Sequence, residues 1–143
     1  LRRVSGSRFA ALISTSGQPI ITSPSDAESD TLSLAALAAS SFAATRQLAK
    51  LLSERQFTLL FHEGQEANLH VVQVNEHVLM LLTFGRDTQV GRVRLYTTRA
   101  LEALKTVFEA AEDMADGTSA TERREYSEAA EQAIDGLLAD QEE

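Results

Sequence analysis

At 143 residues, of which 43% are hydrophobic, the chain is long enough to bury one stable core, and no apolar run approaches the length of a membrane span. It has no cysteine, which excludes disulfides and thiolate metal sites and fits a reducing cytoplasm. The net charge is −8, and residues 101–143 hold thirteen acidic and three basic side chains. Because nucleic-acid binding needs clustered Lys and Arg, this balance argues against a nucleic-acid partner.

Two short strands are predicted near the start of the chain. Residues Arg8–Ser14 are mainly apolar, and Pro19–Thr22 form a second apolar run after the turn Thr15–Gln18. Gly17 supplies the backbone freedom that such a turn needs, and a proline at the start of a strand suits an edge position. These residues predict a hairpin.

A long helix is predicted over Asp30–Leu52, a segment rich in good helix formers with Asp30 as a suitable N-cap. One face is a predicted core stripe of Leu34, Ala38, Ser41, Phe42, Thr45, Leu48, Ala49 and Leu52. The opposite face consists of Ala36, Ala39, Ser40, Ala43, Gln47 and Lys50. A solvated helix face normally carries many charges, and here none occurs between Thr31 and Thr45. The helix is therefore predicted to be covered on both sides, by its own sheet and by a partner.

Three more strands are predicted at Gln56–His62, Asn68–Val74 and His77–Phe84. The last of these strands and the first strand of the chain have apolar residues at both odd and even positions. Both are therefore predicted to be central strands with helices covering each face. This predicts a three-layer α/β/α sandwich around a five-stranded, largely antiparallel sheet, an α+β arrangement.

The strand that contains Phe57, Leu59 and Phe61 is predicted to lie at an edge of the sheet. It has neither a proline nor an internal charge, so its unpaired backbone can pair with another chain. A second copy is the most economical partner, which makes these three residues the predicted homodimer contacts.

The carboxyl-terminal part is predicted to be helical. Apolar residues at helical spacing run from Val90 to about Ala115, and a linker over residues 116–120 leads to an acidic helix over Glu122–Leu138, with Ser119 and Glu122 at capping-box spacing. The narrow apolar stripe of that second helix consists of Tyr126, Ala130, Ala133, Ile134, Leu137 and Leu138. The predicted division is a domain over residues 1–115 and a linker with an acidic helix over 116–143.

The sequence offers little catalytic chemistry. There is no nucleotide-binding P-loop and no nucleophile elbow, and no cofactor is expected. His62 and His70 flank one hairpin and are a conceivable metal pair beside Glu63 or Glu66, but without a third dedicated ligand surface histidines are the favoured interpretation. Arg86, Arg92 and Arg94 flank a loop and are conceivable arginine fingers, although exposed loop arginines are common. The chain is predicted not to be an enzyme.

The order and spacing of several motifs resemble the Roadblock (dynein light chain type) family, from Phe9 to about Phe108, and within it the bacterial MglB branch. The family likeness rests on Ala11–Ile13, Ser16–Ile20, Gln47–Leu52, His62–Gly64, Leu79–Phe84, Gly91–Leu95 and Arg99–Ala100. The likeness to the MglB branch rests on Phe57, Phe61–Gly64, Gly91–Leu95, Glu125–Tyr126 and Asp135–Leu138. The family's first helix is expected before Arg8, where only Leu1–Ser7 stand, so a shortened first helix is predicted.

The resemblance implies a homodimer in which the long helices pack antiparallel and the third strands join two sheets. It also implies binding to a small Ras-like GTPase of the MglA type, which acts in bacterial polarity and gliding motility. Members of this branch accelerate GTP hydrolysis by reshaping the switch regions, without an arginine finger. In this sequence the implied GTPase contacts are Ala36, Ala39, Ser40, Ala43, Gln47 and Lys50.

Two other functions remain open. A Roadblock scaffold would bind a GTPase or a motor complex without stimulating hydrolysis, and the acidic tail and the MglB-like motifs favour the regulator. A ligand-sensing domain of profilin-like or PAS-like shape would need a polar-lined pocket, and the continuous Leu and Val core strands argue against one. Fold alone does not decide among these functions.

Overall fold

The middle layer of the protein is a five-stranded antiparallel sheet. The computed structural model describes residues 1–25, 30–115 and 120–139. The strands are β1 (Phe9–Ser14), β2 (Pro19–Ser23), β3 (Leu59–His62), β4 (Asn68–Gln73) and β5 (Val78–Phe84). Their order across the sheet is β2-β1-β5-β4-β3. The predicted central positions of β1 and β5 and the predicted edge position of β3 are confirmed.

Helices cover both faces of this sheet. They are α1 (Arg2–Ser5), α2 (Thr31–Leu51), α3 (Val90–Ala115) and α4 (Ala120–Ala139). Successive strand residues point to opposite faces, and two apolar clusters result, one under α2 and one under α3 and α4. The three-layer α/β/α arrangement is confirmed. No helix in the described parts of the chain is long and apolar enough to cross a membrane.

The cluster under α2 is built largely from small helix residues. Ala35, Ala38, Ala39 and Phe42 pack on the sheet residues Ala11, Ile13, Val71, Leu79 and Leu81. The cluster on the other face is larger and joins α3, α4 and the amino-terminal Leu1 to the sheet. Its buried members include Leu12, Val72, Met80, Leu82, Phe84, Val93, Leu104, Ile134 and Leu138.

The buried face of α2 differs from the predicted one. Ala35 and Ala39 are buried, whereas Ser41, Leu48 and Leu52 of the predicted core stripe are exposed. Positions 35, 38, 39 and 42 follow the i, i+3, i+4, i+7 pattern of a helix face. Small side chains along that face let the helix lie close to the sheet, and the helix is rotated accordingly.

Element ends also differ from the predicted ones. Asp30 occupies the N-cap position of α2 without a side-chain hydrogen bond to the helix, and β3 begins at Leu59 rather than at Gln56. The strand β5 begins at Val78 because Asn75 organises the turn before it: Asn75 Oδ1 accepts hydrogen bonds from the backbone N–H groups of His77 and Val78, at 2.8 and 2.9 Å.

The carboxyl-terminal helix α4 packs into the larger core cluster. Ile134 and Leu138 are buried there, and Leu137 is partly buried against the same cluster, whereas Ala133 is exposed. The start of α3 at Val90 and its end at Ala115 agree with the prediction. The predicted capping pair begins at Ser119, which lies outside the described residues.

Candidate protein-binding surfaces

The exposed face of α2 contains most of the residues predicted to contact a GTPase. Ala36, Ser40, Ala43, Gln47 and Lys50 are all exposed. Ala39 is only 3% exposed and packs in the core cluster under α2. Its place in the predicted contact set is therefore corrected, since its side chain faces the protomer's own sheet.

Large apolar side chains are exposed on the same helix. Leu37 is 68% exposed and Leu51 is 83% exposed. Among the described residues, five of the nine large exposed apolar side chains belong to α2 and its C-cap: Leu32, Leu37, Leu48, Leu51 and Leu52. A concentration of exposed large apolar side chains on one helix favours a site of protein contact. Hydrophobic spacing did not indicate this surface, because it places Leu48 and Leu52 in the predicted core stripe.

The middle of this exposed face carries small side chains, such as Ser40 and Ala43. Ser40 Oγ donates a hydrogen bond to the Ala36 carbonyl oxygen at 2.8 Å, and Thr45 Oγ1 donates one to the Ser41 carbonyl oxygen at 2.8 Å. Both hydroxyls are thereby satisfied within the helix. The alanine and serine side chains leave room for another backbone to approach closely.

The turn between β1 and β2 supports α2 at Ala36. Gly17 has φ +90°, and a Cβ at that position would lie 2.7 Å from the Ala36 Cα atom. Glycine is therefore required both for the backbone conformation and for the close contact. The turn therefore lies directly against the first half of α2.

The edge strand β3 presents backbone groups of Leu59 and Phe61. The carbonyl oxygen of Thr58 accepts a hydrogen bond from the Gln73 N–H group at 2.9 Å, so Thr58 faces β4. Because backbone direction alternates along an antiparallel strand, the N–H and C=O groups of Leu59 and Phe61 point toward the open edge. These are two of the three predicted dimer contacts.

The third predicted dimer contact, Phe57, lies before β3 and packs on the α2 side of the sheet. Its ring centroid is 4.9 Å from that of Phe42. The side chains of Leu59 and Phe61 pack on the opposite face, where the Phe61 ring lies 6.1 Å from that of Phe84. The three side chains therefore do not form one surface, and only the backbone of β3 forms a continuous edge.

The conceivable metal pair is not brought together. Phe61 pairs with His70 and His62 pairs with Leu69, so the two histidine side chains point to opposite faces of the sheet. In the described part of the chain, no three His, Cys, Asp or Glu residues are grouped as metal ligands would be.

The three arginines considered as arginine fingers have separate environments, since Arg86 precedes α3 and Arg92 and Arg94 lie in its first turns. Arg92 Nε donates a hydrogen bond to the Val4 carbonyl oxygen at 2.6 Å, which ties α3 to the amino-terminal segment. Arg94 lines a cavity beside His70, and Arg86 is exposed. Burial of the His70 ring, with a smaller contribution from the Arg94 charge, lowers the pKa of that imidazole to about 4. His70 is therefore a neutral buried side chain at neutral pH.

Comparison with known proteins supports the architecture. Residues 1–84 match the family model of the Roadblock/LC7 domain. No curated protein matches the sequence significantly.

Three solved structures are similar over most of the chain. MglB of Myxococcus xanthus is 33% identical, with 76% of this chain and 89% of that chain covered and a TM-score of 0.71. The gliding protein MglB of Thermus thermophilus is 35% identical, with 73% and 80% covered and a TM-score of 0.66. A structure described as MglB with a tetrameric arrangement is 36% identical, with 73% and 79% covered and a TM-score of 0.66. The chain belongs to the Roadblock/LC7 family.

Proposed function

We propose that this protein is a homodimeric cytoplasmic regulator that binds a small Ras-like GTPase of the MglA type and accelerates its GTP hydrolysis. The observation that carries the proposal is the exposed apolar face of α2 in a chain that is 33–36% identical to MglB structures. The MglB branch is the one whose members act on such a GTPase. The biological setting that follows is bacterial polarity and gliding motility.

The exposed face of α2 is the proposed GTPase contact. A flat surface of alanines and serines is bordered by Leu37 near its start and by Leu48 and Leu51 near its end. Burial of exposed apolar side chains contributes to the stability of a protein interface. The leucines provide that apolar area, and the small residues allow a helix or loop of the partner to approach the backbone of α2.

The open edge of β3 is the proposed homodimer contact. Pairing of β3 with its twin would satisfy the backbone groups of Leu59 and Phe61 and remove an apolar strand edge from solvent. Two-fold symmetry requires the same strand on both protomers, and an antiparallel pair of identical strands meets that requirement.

The proposed mechanism uses no catalytic group of this chain. Arg92 and Arg94 belong to α3, which lies on the other face of the sheet from α2, so neither arginine lies on the proposed GTPase contact. Acceleration then arises from binding energy that favours the hydrolysis-competent arrangement of the switch regions. A partner shifts such an equilibrium only by its differential affinity for the two states.

The test is GTP turnover by the MglA-type GTPase of the same organism, with and without this protein at equimolar dimer. A rise of about tenfold or more, which corresponds to about 1.4 kcal/mol of barrier, is the expected result. Binding without acceleration would identify a scaffold and overturn the regulatory part of the proposal. Absence of binding would overturn the partner as well.

A further inference from the structure

A second potential binding site lies on the opposite face of the sheet from α2. A cavity of about 410 Å³ is open between the β3–β4 end of the sheet and the first turns of α3. Its lining is Thr58, Leu59, His70, Val72, Arg94, Thr97, Thr98 and Leu101. None of these belongs to the proposed GTPase-binding face of α2, so the inference does not rest on GTPase binding. Leu59 also belongs to the proposed homodimer contact, which uses its backbone groups rather than its side chain.

Two buried polar side chains lack hydrogen-bond partners at this cavity. Both ring nitrogens of His70 and the hydroxyl of Thr97 are buried without a partner among the described residues. His70 is only 1% exposed, and Thr97 is buried as well. Buried polar groups are normally paired, because leaving one unpaired costs its full desolvation penalty. Both side chains belong to the lining of one cavity, so a molecule bound there would be placed beside them.

The chemistry of the lining indicates the kind of molecule. A neutral imidazole has one N–H donor and one acceptor, a threonine hydroxyl can donate, and Arg94 presents a guanidinium that suits a carboxylate. Among the described residues no acidic side chain lines the cavity, so the Arg94 charge has no acidic partner in this lining. The remaining wall is apolar and is formed by Leu59, Val72 and Leu101.

We propose that this cavity binds a small organic acid, with its carboxylate on Arg94 and Thr97, a polar contact to His70, and its apolar body against Leu59, Val72 and Leu101. The volume favours such a ligand over a single water molecule. A water occupies about 30 Å³ of liquid, and small-molecule pockets begin at about 300 Å³. The mixed polar and apolar lining is also typical of such pockets.

The test uses the full chain, with benzoate as the probe and chemical shifts of the ¹⁵N-labelled His70 imidazole as the readout. Saturable shifts of both ring nitrogens with benzoate are expected. Two matched probes separate the parts of the proposal: benzyl alcohol keeps the ring without the charge, and inorganic phosphate keeps the charge without the ring. Both are expected to bind at least tenfold more weakly than benzoate.

Substitutions on α3 provide the second arm. Arg94→Gln and Thr97→Val are each expected to weaken benzoate binding, the former at least tenfold. Arg99→Gln makes the same charge change on the same helix at an exposed position outside the cavity lining, and it should leave the affinity unchanged. All four proteins should show the same amide spectrum outside the cavity.

Several results would overturn the proposal. A lack of saturable shifts at high millimolar benzoate would show that the cavity holds only water. Equal loss of affinity in Arg94→Gln and Arg99→Gln would show nonspecific attraction to positive charge. Equal affinity for benzyl alcohol would show an apolar cavity without carboxylate recognition, and equal affinity for phosphate would show an anion site without an apolar subsite.

Discussion

Replacing Leu138 by Ala tests whether α4 is part of the folded core. Leu138 is 1% exposed and belongs to the larger core cluster. The substitution removes three carbon atoms, which is worth about 2.4 kcal/mol at about 0.8 kcal/mol per buried CH₂ group. The cavity left behind adds to this loss, and buried Leu→Ala changes cost about 2–5 kcal/mol in total. We expect the free energy of unfolding to fall by about 3–4 kcal/mol.

The assay for Leu138→Ala is urea unfolding followed by circular dichroism at a fixed protein concentration, because association would shift the apparent stability. Leu95→Ala is the matched control, since Leu95 is 50% exposed on α3, and its cost should stay below about 1 kcal/mol. A Leu138→Ala protein within about 0.5 kcal/mol of the parent would refute the argument. It would mean that α4 is detached from the core in solution and that residues 120–139 form a separate tail.

Three further predictions concern the two surfaces and the buried histidine. Ala43→Arg should abolish GTPase binding in a pull-down without loss of thermal stability. Ala110→Arg makes the same change at an exposed position of α3 and should retain binding. If both variants retain binding, the GTPase contact lies elsewhere. Leu59→Pro removes an N–H group at the open edge of β3 and should give a monomer in sedimentation experiments, whereas Leu59→Ala should remain a dimer. If both variants sediment as dimers, pairing through β3 is excluded. The lowered pKa of His70 means that the unfolded state, with the ordinary pKa of 6.5, binds the proton more readily. The free energy of unfolding should therefore fall as pH decreases from about 6.5 toward 4. In urea unfolding, His70→Leu should reduce this dependence on pH. An unchanged pH dependence in that variant would contradict the prediction.

Much of the fold was predictable because its signals are local. The apolar runs of β1 and β5 at both parities required cover on both faces, and the structure places both strands inside the sheet. The helical spacing from Val90 to Ala115 was uninterrupted, so the helix was distinguished from a strand. Such patterns can be predicted because the spacing of apolar residues along the sequence reflects which faces of a helix or strand are buried.

The rotation of α2 was not predictable in the same way. The helix has alanines or other small residues on both sides, so hydrophobic spacing alone permits more than one buried face. Leucine at positions 48 and 52 favoured one of them, while close packing of Ala35 and Ala39 on the sheet selected another. Leucine is the better core residue in isolation, but the distance between helix and sheet decides which side chains fit.

The polar cavity was missed for a related reason. His70 stands in a strand of otherwise mostly apolar residues, and Thr97 stands on the buried face of α3, 27 positions later. Each looks like an ordinary member of its element. Only the packing of α3 across β4 brings both residues to one cavity with Arg94. Because the core strands are runs of mainly apolar residues in the sequence, no polar pocket was expected there.

The two proposed interfaces also constrain each other geometrically. If β3 pairs antiparallel with its twin, the two-fold axis is perpendicular to the joined sheet, and this symmetry keeps each face of the sheet on its own side. Both copies of α2 then lie on the same face of a ten-stranded sheet, and both cavities beside His70 lie on the other. A GTPase bound to one α2 would therefore have the second α2 beside it, so a monomeric variant such as Leu59→Pro should bind the GTPase more weakly than the Leu59→Ala dimer. Equal affinity of these two variants, measured by titration calorimetry, would show that one helix suffices and that the dimer has another role.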